Sequence, residues 1–151
     1  MSDALPVVGR GFCYEDLRVG FRFRSHRRTL SEADLASFIN LTWLTEELFA
    51  VADESGRAIT GRPVPGALVY AFAEGLLLPT MQDTGLAFLN ATLDVKGPTV
   101  VGDTIHVEVE VTEMRLTSKG DRGLVRSANN VINQRGETVL AYGPLRLLKR
   151  R

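Results

Sequence analysis

Cysteine is nearly missing from this 151-residue sequence. Cys13 stands alone, which excludes an intrachain disulfide and any multi-cysteine metal site. A reducing, cytoplasmic setting is expected on that ground. There is no surplus charge: 18 Lys and Arg balance 18 Asp and Glu. A neutral chain gives no electrostatic reason to expect a nucleic-acid or membrane-surface partner. No basic stretch followed by an apolar run opens the chain, so no signal peptide is expected. The longest apolar run, residues 67–78, is interrupted by Glu74 and Gly75 and is too short to cross a bilayer. Histidine occurs only twice, as His26 and His106. No cofactor and no metal is expected.

What is present suits an ordinary globular protein: 44% hydrophobic and 24% charged residues are enough to build a core. The length predicts a single domain over residues 1–151, with 1–11 as a loose, Pro/Gly-punctuated arm. Residues 21–27 alternate, with Phe21 and Phe23 on one face and Arg22, Arg24 and His26 on the other, as in a half-buried strand. Thr29-Leu30-Ser31-Glu32 has the form of a capping box with Thr29 at the N-cap. Leu35, Phe38, Ile39 and Leu41 follow at helical spacing. A shorter helix is expected over 46–52, and 53–60 is polar loop. Gly61-Arg62-Pro63-Val64-Pro65-Gly66 is a tight loop feeding a helix that runs to Pro79 and is apolar almost all round, so it must be wrapped by other elements.

Strand patterns dominate from Gly85 onward. Candidates are 85–95, 104–117, 123–133 and 138–149. In the second, Ile105, Val107, Val109 and Val111 share a face opposite His106, Glu108, Glu110 and Thr112. Gly136 supplies the left-handed residue of a hairpin turn. The sum is an α+β fold, a curved antiparallel sheet wrapped around one long helix.

Five segments in order resemble the MaoC-like hydratases and dehydratases: Tyr14-Glu15-Asp16-Leu17-Arg18-Val19-Gly20, Thr29 to Phe38, Pro65-Gly66-Ala67-Leu68, Val100-Val101-Gly102-Asp103-Thr104-Ile105, and Asn133 to Leu140. The resemblance covers roughly residues 12 to 149. It implies the hot-dog fold and a homodimer or higher oligomer with joined sheets. It also implies acyl-CoA or acyl-carrier-protein thioesters as ligands. The family's Gly-Asp-x-Asn-Pro-x-His motif positions and activates a water for addition to an enoyl thioester. Laid on this chain without a gap, its Gly falls on Trp43, its Asp on Leu44, its Asn on Glu46, its Pro on Glu47 and its His on Phe49. Neither Leu44 nor Phe49 can move a proton, so the usual dyad is absent.

Two carboxylates could substitute as catalytic groups. Glu46 lies inside the altered motif, where desolvation by apolar neighbours would suit a general base; the alternative is a solvent-facing acid at a helix N-terminus. Glu74 shares a helix face with Tyr70; the alternatives are a buried, hydrogen-bonded acid or one at the dimer interface. The resemblance makes the Gly66 N–H the donor to a thioester carbonyl, with Pro65, Ala67, Val64, Leu44, Phe49 and Trp43 around the substrate. Three functions remain open: a re-sited enoyl-CoA hydratase or dehydratase, a non-catalytic subunit that binds an acyl thioester or partners an active hydratase, and a thioesterase. Lys149-Arg150-Arg151 is expected to be a solvated tail, with CoA phosphates as its other possible partner.

Overall fold

The computed structural model describes residues 5–151. The first four residues of the expected N-terminal arm lie outside the described residues. Eight strands and three α-helices follow in the order β1 (Arg22–Arg24), β2 (Arg28–Thr29), α1 (Glu32–Thr42), α2 (Glu47–Ala50), α3 (Gly66–Leu76), β3 (Gly85–Asn90), β4 (Leu93–Val95), β5 (Thr104–Leu116), β6 (Arg122–Ile132), β7 (Thr138–Tyr142) and β8 (Leu145–Lys149). All described strand pairings are antiparallel. The sheet runs β1-β5-β6-β7-β4, with β8 beside the first half of β6 and β3 outside β8.

The long β5 has the predicted alternation. Ile105, Val107, Val109 and Val111 are all buried on one face. Ile105, Val107 and Val109 meet Leu68, Val69, Ala73 and Leu77 of the α3 region in one continuous core. Two expected strands are each broken. Residues 138–149 divide into β7 and β8 at Gly143-Pro144, because Pro144 has no N–H to give the ladder. Residues 85–95 divide into β3 and β4 at the same level, where the Gly143 N–H donates to the Thr92 carbonyl. The matched breaks bend the sheet over the helix.

Helix α3 is not wrapped on every side. Ala67, Ala71, Gly75 and Leu78 form an exposed stripe, while the larger side chains of the opposite face are buried. The sheet covers one side only, and small residues occupy most of the other. The cap of α1 also differs from expectation. Ser31 is the N-cap: its hydroxyl accepts from the Asp34 N–H, and the Asp34 carboxylate accepts from the Ser31 N–H. Thr29 is unavailable because its hydroxyl meets that of Thr104 across the β2–β5 pair, and Glu32 pairs with Arg62. Leu35 and Ile39 anchor α1 in the core, whereas Leu41 points outward.

The basic C-terminus is not a solvated tail. Lys149 pairs with Asp83, Arg150 with Glu15 and Arg151 with Asp16, fastening the C-terminus to the entry segment and to the turn before β3. The Arg150 hydrogen bond, followed by the Arg151 N–H, holds the Glu15 carboxyl below its ordinary value. Lys149 does the same for Asp83. A depressed carboxylate contributes stability above its unfolded value of about 4, and that contribution is lost as pH falls through the folded value. Arg150→Ala is therefore expected to lower the melting temperature at pH 7, with the gap from wild type closing toward pH 3. A gap that stays constant over that range would show that the pair contributes nothing.

Candidate active site

The start of α3 is fixed by the loop before it. The Val64 N–H donates to the Thr99 carbonyl at 2.8 Å, and Pro63 bridges Val100. Pro65 then takes the N-cap with φ −59° and ψ 140° and offers no side-chain cap. Its carbonyl accepts from the Leu68 and Val69 N–H groups. The Gly66 and Ala67 N–H groups have no hydrogen-bond partner among the described residues. They are the orphan donors of a helix N-terminus, where partial positive charge accumulates.

A cleft of about 450 Å³ opens at this point. Phe49 and Leu48 of the α2 segment, Val64, Val69, Val95 and Leu140 form most of its apolar wall. Gly66 lines it directly, and a Cβ on Gly66 would come within 3.1 Å of the Val95 Cγ2. Thr99 supplies the only hydroxyl among the lining residues, and none of them is an acid, a base, a cysteine or a tyrosine. The α2 segment is held in place by Arg57, whose guanidinium donates to the Glu47 and Val51 carbonyls at 2.7 Å each. The cleft can therefore offer a backbone donor and an apolar enclosure. Its lining side chains offer no proton transfer.

The structure brings together only some of the residues singled out from sequence. Gly66, Val64 and Phe49 line the cleft; Pro65 is buried beside them as the helix cap. Ala67 turns to the exposed face of α3. Leu44 is half-buried and is not among the lining residues. Trp43 does not fill the pocket. It adopts the left-handed conformation at the end of α1, with φ 61°, and is 85% exposed. Glu46 is exposed, with no side-chain hydrogen bond at the N-cap of α2.

Glu74 lies farther along α3 and is engaged. Both of its oxygens accept from Arg146 Nη2 of β8, at 2.6 and 2.7 Å. The Arg146 guanidinium also stacks on Phe88. Beside the pair, Tyr70 packs edge-on against Tyr142, with ring centroids 4.9 Å apart. Burial, then the nearby Glu74 charge, raises the hydroxyl pKa of both tyrosines. Sequence reasoning missed Arg146 because it appears as one more cation in a strand; only the bent sheet carries it to α3. It also missed Ala58 and Ile59, an apolar pair inside a polar loop that lines the cleft.

No family model matches the chain, and no curated protein matches it in sequence. Solved structures do match. A MaoC-like dehydratase from Rhodospirillum rubrum superposes with a TM-score of 0.79 at 27% identity, covering 93% of this chain and 99% of that one. An (R)-hydratase from Pseudomonas aeruginosa gives 0.76 at 25% identity, covering 93% and 87%. A Mycobacterium tuberculosis protein with a double hot-dog fold gives 0.86 at 23% identity, covering 97% of this chain and 46% of that one.

Breaking the Glu74–Arg146 pair would strand a half-buried cation. Glu74→Gln is expected to cost about 1–3 kcal/mol, and adding Arg146→Met should recover most of that loss. Urea unfolding of the two single variants and the double variant checks this. Additive losses would show that the two residues act independently.

Proposed function

We propose that this MaoC-like hot-dog protein binds an acyl-CoA or acyl-carrier-protein thioester in the cleft at Gly66, without the family's usual water-activating dyad. The observation that carries the reading is the pairing of free N–H groups at the start of α3 with a wall that has no titratable side chain. A thioester carbonyl placed on the Gly66 N–H would be polarised by that bond and by the helix terminus. The acyl chain would lie against Val64, Val69 and Phe49. Hydration needs a group that takes a proton from water. Leu44 and Phe49 cannot do this, Glu46 faces solvent and Glu74 is committed to Arg146. The non-catalytic subunit is therefore favoured over a re-sited hydratase or a thioesterase.

The same reading includes a homodimer. Among the described residues, strand β3 is bonded to β8 on one edge only, and Leu86, Phe88, Leu89, Leu93 and Val95 of β3 and β4 are all exposed. An open apolar edge of this kind requires a cover, and a second copy supplies one of matching chemistry. Sedimentation is expected to give a dimer, and Leu89→Lys is expected to shift it to monomer. A wild-type monomer at micromolar concentration would rule this assembly out.

The functional test pairs binding with turnover. Butyryl-CoA should bind, measured by calorimetry, and Gly66→Ala should weaken it about tenfold, because the new methyl closes on Val95. Crotonyl-CoA should keep its enoyl absorbance in the presence of the protein. Hydration abolished by Glu46→Gln or Glu74→Gln would instead establish a re-sited hydratase.

A further inference from the structure

Two cavities lie between α3 and the sheet, at opposite ends of the helix. The cleft takes Gly66 and Val69 from the first turn. A second, smaller space of about 50 Å³ takes Leu77 from the far end, with Asn129, Arg146 and Leu148 from the sheet. Tyr70, Ala73, Glu74 and Tyr142 line neither. They stand between the two. Tyr142 follows Leu140 on the inner face of β7, and Leu140 lines the cleft. Tyr70 is one helical turn past Gly66.

From these placements we infer that Tyr70, Tyr142 and the Glu74–Arg146 pair form a partition that ends the cleft and restricts its ligand to short acyl thioesters. The inference rests on the acyl-thioester reading above. The physical ground is the mismatch between an apolar tail and the groups it would have to pass. The Glu74 carboxylate takes both of its close contacts from Arg146, so an intruding methylene chain would separate these charges without replacing either partner. Tyr142 is only 3% exposed and is packed into the core edge-on against Tyr70, so moving it aside would disturb both rings. The turn from Gly66 to Tyr70 rises roughly 5–6 Å, room for about four carbons of extended chain. Beyond the partition the second cavity is apolar on most of its wall, with Leu77, Val109, Val111 and Leu148 out of reach of a chain stopped at Tyr70.

The test is a chain-length series of acetyl-, butyryl-, octanoyl- and dodecanoyl-CoA, measured by calorimetry on the wild-type protein and on two opened variants. Wild type should bind butyryl-CoA at least tenfold more tightly than dodecanoyl-CoA. The Glu74→Ala/Arg146→Ala double variant removes both charges together and should bind dodecanoyl-CoA about tenfold more tightly than wild type does, with butyryl-CoA little changed. Tyr70→Ala, on a helix that tolerates alanine, should move the preference the same way and serves if the double variant does not fold. Wild type binding dodecanoyl-CoA as tightly as butyryl-CoA would overturn the partition while leaving the acyl-thioester reading intact. No binding of any chain length by wild type would overturn that reading and the partition with it.

Discussion

The anchoring of the first turn of α3 decides what this protein can offer a ligand. The Val64–Thr99 hydrogen bond and the Pro63–Val100 bridge tie the preceding loop to the segment that leads into β5. Pro65 then enters the helix without a capping side chain, so the Gly66 and Ala67 N–H groups stay unpartnered at the helix's positive end. A serine or aspartate at position 65 would satisfy one of the free helix-terminal donors internally and compete with a ligand for it. The rest of the fold holds this arrangement: β5 and β7 bury the opposite face of α3, and Arg57 keeps Phe49 over the opening.

Charge is distributed so as to leave that region empty. The acids and bases nearest the core are paired with one another: Glu74 with Arg146 inside, Asp103 with Arg135 at a turn. Glu15, Asp16 and Asp83 are taken up by the three C-terminal cations. A carboxylate that is already paired is a poor general base, because proton uptake must first break the pair. The cleft's lining has no ionisable side chain to lose in this way, and its chemistry reduces to an oriented backbone dipole, the Thr99 hydroxyl and an apolar enclosure.

Much of this was legible in the sequence, for physical reasons that differ by element. Strand β5 declared itself because a half-buried strand must alternate, and Ile105, Val107, Val109 and Val111 do so without exception. Gly66 was legible because Pro-Gly before an apolar run marks a helix start. The exposure of α3 was not. Apolar content counts Ala67, Ala71 and Gly75 with Leu68 and Val69, yet the small residues form the open face. The Ser31 cap was missed because Thr29 and Ser31 each head a plausible capping pattern, and only the Thr29–Thr104 contact across the sheet decides between them. Glu74 and Arg146 lie 72 residues apart, so no local pattern could join them. The resemblance places Trp43 beside the substrate, but the left-handed turn after α1 directs it away.

The most direct test of the central claim is the backbone amide resonance of Gly66, followed by nitrogen-15 NMR while butyryl-CoA is added. A thioester seated on this amide predicts a downfield proton shift at Gly66, the signature of a new hydrogen bond to a carbonyl, with shifts in Val64, Val69 and Phe49 and no release of free CoA. An unmoved Gly66 amide in a protein that binds the thioester elsewhere, or steady conversion of the ligand during the titration, would contradict it.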